Sequence, residues 1–138
     1  MDDRTLLAKA IAARENAYCP YSNFPVGAAL LCADGSVYTG VNVENAVNGL
    51  SLCAERVALF TAIAAGKHGF VKIAVACRAE YCSPCGACRQ VLYEHAPDLV
   101  ILMGNLGGTL GGTFKKKTIR DLLPEAFSLH QECCNEEP

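Results

Sequence analysis

No apolar run in this chain approaches the roughly 18 residues that a membrane-spanning helix needs, so a bilayer span does not organise it. Positive charge is not in excess either. Twelve lysines and arginines face 14 acids, for a formal net charge of −2, which gives a phosphate backbone little to bind. The one basic run, Lys115-Lys116-Lys117, reads as a solvated edge strand. The N-terminus lacks the basic opening of a secretory signal, with Asp2 and Asp3 in its place, so a cytoplasmic address is the default. There is no internal repeat. The five glycines between Gly104 and Gly112 lack the Gly-Lys-Ser/Thr ending of a phosphate cradle and read as a turn into a last edge strand. Nucleic-acid and membrane partners are therefore not expected.

What remains is a small globular chain. With 138 residues, 51% hydrophobic and 19% charged, it is long enough for one core and too short for two. A single domain over residues 1–128 and a disordered tail over 129–138 are expected. Nine cysteines, an odd number in a reducing setting, are not a disulfide framework. They should be metal ligands, buried small hydrophobes or free thiols.

Apolar spacing predicts a helix over residues 2–17, ended before Pro20. An aromatic-rich loop follows, bounded by Pro20 and Pro25. Residues 26–32 and 36–41 read as two strands joined at Asp34-Gly35, a hairpin turn signal. A second helix spans 52–65, ended by Gly66. Leu52, Val57, Leu59, Phe60 and Ile63 surround it on almost every side, which predicts a subunit interface. A strand at 71–77 precedes a helix to His95, with Ser83 as its N-cap and Pro84 at its first position. Residues 99–103 form a central parallel strand, and 118–123 a short helix stopped by Pro124. This order predicts a layered α/β domain.

Two clusters carry the chemistry: Cys53-Ala54-Glu55-Arg56 and Pro84-Cys85-Gly86-Ala87-Cys88-Arg89-Gln90. Cys85 and Cys88 share a face in the first turns of one helix, and Cys53 starts another. Helix N-termini favour thiolates. With the two starts side by side, three thiolates converge. A structural zinc site closes with four protein ligands, whereas a catalytic one uses three and keeps a position open. Cys82 is the candidate for a fourth ligand, and with Cys85 and Cys88 it begins an iron–sulfur spacing that breaks off at Leu92.

Glu55 turns the site towards hydrolysis, since a carboxylate beside a ligand can take a proton from water at the metal. An ideal helix puts positions 53 and 55 on different sides, so this reach does not follow from spacing. Arg56 and Arg89, one residue past each cluster, could donate to the thiolates and offset their charge.

These motifs closely resemble the small all-cysteine cytidine deaminases. So do Tyr18-Cys19-Pro20-Tyr21-Ser22-Asn23-Phe24-Pro25-Val26-Gly27, Asn42-Val43-Glu44-Asn45-Ala46 and Leu122-Leu123-Pro124-Glu125-Ala126-Phe127, in the same order along the chain. The resemblance implies a three-layer α/β/α sandwich around a five-stranded mixed sheet, assembled as a homotetramer with shared active sites. It implies one Zn²⁺ per subunit, held by Cys53, Cys85 and Cys88, with Glu55 shuttling protons. It implies hydrolysis of cytidine and 2′-deoxycytidine to uridine and 2′-deoxyuridine, a reaction of pyrimidine salvage. Asn42 and Glu44 would bind the ribose, Phe24 and Val26 would wall the pocket, the Ala54 backbone would meet the base, and Phe127 would arrive from a neighbouring subunit. Where the family commonly has a tyrosine, this chain has Asn48. That change either is filled by another ring such as Tyr81 or admits modified cytidines or another aminated heterocycle. A non-catalytic zinc-stabilised binding module is the rival from another class.

Overall fold

In the computed structural model, residues 1–105 and 113–129 are described. The sheet has five strands: β1 (Gly27–Cys32), β2 (Val37–Val41), β3 (Phe70–Cys77), β4 (Val100–Asn105) and β5 (Phe114–Thr118), in the order β2-β1-β3-β4-β5. Only β3 and β4 run parallel; the other neighbours are antiparallel. The helices are α1 (Asp3–Ala13), α2 (Ala54–Ala64), α3 (Gly86–His95) and the one-turn α4 (Ile119–Leu122).

Strand alternation divides the core into two. Ala29, Ala74, Ala76 and Leu102 point to one face and receive Leu6, Leu7 and Ala10 of α1. Small residues there let the helix lie close. Leu30, Ile73, Val75, Ile101 and Met103 point to the other face, among Leu59 of α2 and Leu92 of α3. The result is the expected three-layer arrangement, with residues 114–118 as the lysine-bearing edge.

Local chemistry explains most boundaries. Asp2 caps α1 by accepting the Thr5 N–H at 2.7 Å. Asp3 then pairs with Lys72 of β3 and Lys116 of β5. The α-helix stops at Ala13, earlier than spacing predicts, and passes through a 3₁₀ turn at Arg14–Asn16. Ala17 is extended, and the Tyr18 N–H is drawn to the Asn42 carbonyl at 3.0 Å. The hairpin turns at Gly35, whose φ of +88° suits glycine. The α4 turn carries a reciprocal Thr118–Asp121 capping box. The expected glycine-rich turn over residues 106–112 and the tail from 130 lie outside the described residues. No helix among the described residues is long and apolar enough to cross a membrane.

One contact places the site. A Cβ at Gly40 would stand 2.4 Å from both the Ala54 carbonyl oxygen and the Ala58 nitrogen. The first turn of α2 therefore rests directly on the β2 backbone. Gly40→Ala should cost about 1–3 kcal/mol, because backbone rather than a flexible side chain must move. It should also weaken metal binding by shifting Cys53. Urea unfolding and a zinc titration check both; an unchanged midpoint would contradict the contact.

Candidate metal centre and pocket

Two helix starts meet at one point. Cys53 is the N-cap of α2, with its carbonyl accepting the Val57 N–H at 3.1 Å. Cys85 is the N-cap of α3, and its Sγ accepts the Cys88 N–H at 3.5 Å. The α3 helix thus begins two residues later than Ser83 and Pro84 suggest. A sulfur, rather than the hydroxyl that capping preference favours, takes the cap. Both positive helix ends therefore face the thiols.

The Cys53 and Cys85 Sγ atoms lie 3.8 Å apart, and all three Sγ atoms of Cys53, Cys85 and Cys88 fall within 4.8 Å of one another. Four-coordinate zinc with sulfurs at about 2.3 Å separates them by about 3.8 Å. The set fits. Cys82 is outside this group, so among the described residues the cluster has three members. That matches an open site rather than a closed one.

Charge is organised around the thiols. The neighbouring Cys53 sulfur, then burial, push the Cys88 thiol up. The Cys53 thiol is held down to about 5, first by the neighbouring Cys88, against the cost of burial, and then by Arg56. Arg56 Nη2 lies 3.6 Å from Cys53 Sγ, as expected, and its buried Nε has no hydrogen-bond partner among the described residues. Arg89 departs from the expectation of bonding to the thiolates. Its Nε donates to the Pro84 carbonyl at 2.8 Å, Nη1 to the Leu122 carbonyl at 2.8 Å and Nη2 to Ser83 Oγ at 2.7 Å. It therefore splints the loop before Cys85 to α4. Carbonyls at a helix start and a helix end offer it better acceptors than an exposed thiol.

Arg56→Gln should weaken zinc binding roughly 10–100-fold, because the charge of three thiolates would lose the guanidinium beside Cys53. Competition with a chromophoric chelator measures this. Equal affinity in the variant would remove Arg56 from the site.

Glu55 is 4% exposed, and burial pushes its carboxyl up to about 7. It lines the same cavity as Cys53 and Cys85, a space of about 440 Å³. The helical-spacing objection fails because Cys53 is a cap outside the helix, with extended backbone (φ −76°, ψ 154°). Phe24, Val26, Asn42, Glu44 and Ala54 line this cavity too. Asn42 donates from Nδ2 to the Phe24 carbonyl at 2.8 Å and accepts the Val26 N–H at 2.9 Å, pinning the aromatic loop. Glu44 Oε1 accepts the N–H groups of Tyr21 (3.0 Å) and Ser22 (3.1 Å), which keep it ionised. Val43, between them, bridges to Tyr18 and Leu52, so this segment is held beside Cys53.

Phe127 is not brought to this cavity. It is 60% exposed, and its carbonyl accepts from Gln90 Nε2 at 3.0 Å. Arg78 stacks 4.9 Å over the Phe24 ring, and Lys115 lies 4.3 Å over Tyr81, another lining residue. Cys77 also lines the cavity and was not singled out by sequence. Its place at the carboxyl end of a strand with a parallel neighbour, where α/β sheets gather ligands, was the available signal.

Residues 1–103 match the family model of the cytidine and deoxycytidylate deaminase zinc-binding region. The chain belongs to that family. A cytidine deaminase of Halalkalibacterium halodurans is 50% identical over 130 residues, covering 93% of this chain and 96% of the relative. One from Sporosarcina psychrophila is 46% identical, covering 93% of each. The crystal structure of cytidine deaminase from Burkholderia pseudomallei superposes with a TM-score of 0.87 at 49% identity, over 92% of this chain and all of that one. Cytidine deaminase family membership makes this an enzyme of a hydrolase family, with a zinc-binding deaminase domain and the expected α/β fold.

Proposed function

We propose that the protein hydrolyses cytidine and 2′-deoxycytidine to uridine and 2′-deoxyuridine, releasing ammonia. The observation that carries this reading is one nucleoside-sized cavity lined by Cys53 and Cys85 of the three-thiol cluster, the buried Glu55 and the Asn42/Glu44 pair. Held by Cys53, Cys85 and Cys88, zinc supplies the Lewis acidity that makes a water nucleophilic near neutral pH.

The chain's own residues do the rest. Glu55 accepts a proton from the attacking water and gives it to the ring nitrogen next to the attacked carbon. A second proton follows the same route to the departing ammonia. A carboxyl near pH 7 suits both directions of transfer. Phe24 and Val26 wall the pocket for the base from the loop that Asn42 pins, and the Ala54 backbone contacts the base. Glu44 keeps Oε2 for a ribose hydroxyl while Oε1 is occupied by the loop, with Asn42 beside it.

Phe127 acts in a neighbour's site within a homotetramer. Support comes from its exposure together with that of Val47, Leu50, Phe60 and Ile63, large apolar side chains that a single chain leaves uncovered. The setting is cytoplasmic pyrimidine salvage.

A second reading, deamination of modified cytidines, is favoured by Asn48. It borders a further recess of about 360 Å³ that shares Glu44 and Ser51 with the main cavity. Zinc-loaded protein should release one ammonia per uridine formed from cytidine. No release from cytidine, with turnover of N4-substituted cytidines that Asn48→Tyr abolishes, would replace the first reading with the second.

A further inference from the structure

Among the described residues, two aromatic rings line the cavity, Phe24 and Tyr81, and each carries a cation. The Arg78 guanidinium lies 4.9 Å from the centre of the Phe24 ring, and the Lys115 ammonium 4.3 Å from that of Tyr81. Arg78 is exposed and is the first residue after β3, between Cys77 and Ala79, which both line the cavity. Phe24 belongs to another segment, the proline-bounded loop before β1. The contact therefore joins the two loops that supply the cavity's rings.

The backbone of Phe24 is fixed without Arg78. Its N–H donates to Ser22 Oγ at 3.1 Å, its carbonyl accepts from Asn42, and Asn23 before it holds a left-handed φ of +53°. None of these bonds reaches the ring, which is half-buried and turns about its own side-chain bonds. Apolar packing at the edge of the core holds the ring without fixing its direction. Arg78 adds a directional hold, since a cation is drawn to the negative face of a ring and not to its edge. It can do so because its own loop is anchored. The Cys82 N–H donates to the Gly104 carbonyl at 3.1 Å, Asn105 Nδ2 donates to the Glu80 carbonyl at 2.8 Å, and Lys115 sits over Tyr81.

We propose that Arg78 is a positioning residue, which holds the Phe24 ring in its place on the cavity wall and so sets the affinity for the base. The proposal deepens the deaminase reading and rests on it for the substrate. Without the guanidinium the ring spreads over more rotamers, and the cavity is ready for a base for a smaller share of the time. Apparent affinity falls by that share. Turnover is spared, because Glu55 and the three thiols stand on α2, α3 and their caps, not on either loop.

Steady-state kinetics on zinc-loaded wild type, Arg78→Gln, Arg78→Lys, Phe24→Leu and the Arg78→Gln/Phe24→Leu double variant test this. Arg78→Gln should raise KM for cytidine roughly 2–5-fold, the range of an exposed cation–ring contact, with kcat unchanged. Arg78→Lys keeps the charge and should restore most of the affinity. In the Phe24→Leu background no ring face remains, so the glutamine substitution should have no further effect on KM. An unchanged KM in Arg78→Gln, a loss confined to kcat, no rescue by lysine, or the same KM rise with and without the Phe24 ring would each overturn the proposal. A fluorine NMR spectrum of protein labelled with para-fluorophenylalanine follows the ring without substrate. The Phe24 signal, identified by its absence from Phe24→Leu, should move in Arg78→Gln and stay near its wild-type position in Arg78→Lys. If wild type does not deaminate cytidine, the proposed function fails, and the fluorine signal decides Arg78 by itself: an unmoved signal in Arg78→Gln would remove its hold on the ring.

Discussion

Glu55→Gln should lower kcat for cytidine by roughly 10²–10⁴-fold while zinc content stays at one per chain. Glutamine has the same shape but cannot accept a proton from water, so the substitution removes transfer and leaves the cavity. The three thiols do not depend on it, since Cys53 and Cys85 are caps fixed by backbone and Arg56. Because the loss is one of transfer, KM should move far less than kcat. A variant that retains most of its turnover would take Glu55 out of the reaction.

The same substitution should stabilise the metal-free protein. Glu55 is an acid whose folded-state pKa is raised, from 4.5 to about 7, because burial penalises the charged form. Below about 4.5 it is protonated in both states and costs nothing. As pH rises towards 7 the unfolded chain loses that proton while the folded one holds it, so stability falls, and above 7 the penalty is complete. The shift corresponds to about 3 kcal/mol as an order of magnitude. At pH 8, chelator-treated Glu55→Gln should therefore melt above wild type by roughly 10 °C, with the gap closing near pH 4.5. A gap that is absent or reversed would mean that Glu55 is not desolvated.

Why the residue both drives turnover and weakens the fold bears on what could be read from the sequence. The zinc set was legible because three thiols at two helix starts leave few alternatives. The burial of Glu55 was not, since a glutamate in a first turn is ordinarily a surface group; only the close seating of α2 on Gly40 takes it out of water. The first hairpin and the layered arrangement followed from alternation and turn chemistry, whereas the five-stranded mixed sheet came from the family resemblance. Helix starts were less legible where a sulfur does the capping, as at Cys85. Arg89 resembles Arg56 in position along its motif, yet its guanidinium goes to backbone carbonyls of the Ser83–Pro84 loop and of α4. Those acceptors are long-range and carry no local signature. Cys77 was missed for a related reason: in an apolar strand, a cavity-lining cysteine and a core cysteine read alike, and only its place at the strand's carboxyl end set it apart.

Cys88→Ser tests the count of ligands. Cys88 is fully buried in the first turn of α3, with its Sγ within 4.8 Å of those of Cys53 and Cys85. A serine hydroxyl keeps the size but does not ionise near neutral pH, so the site loses one anionic sulfur and zinc affinity should fall by 10²-fold or more, on the order of the largest effects of removing a ligand's own supports. Ligand linkage converts this into stability. At free zinc 100 times the wild-type Kd, bound metal contributes about 2.7 kcal/mol, and most of that should be missing in the variant. Zinc should raise the melting temperature of wild type by roughly 10 °C and that of Cys88→Ser by only a small fraction of it. Cys82→Ser supplies the contrast: its sulfur lies outside the cluster, so it should keep the full zinc-dependent shift. Were Cys82→Ser to lose the shift as well, the site would have four protein ligands and would be closed, and a water could not reach the metal that Glu55 is placed to serve.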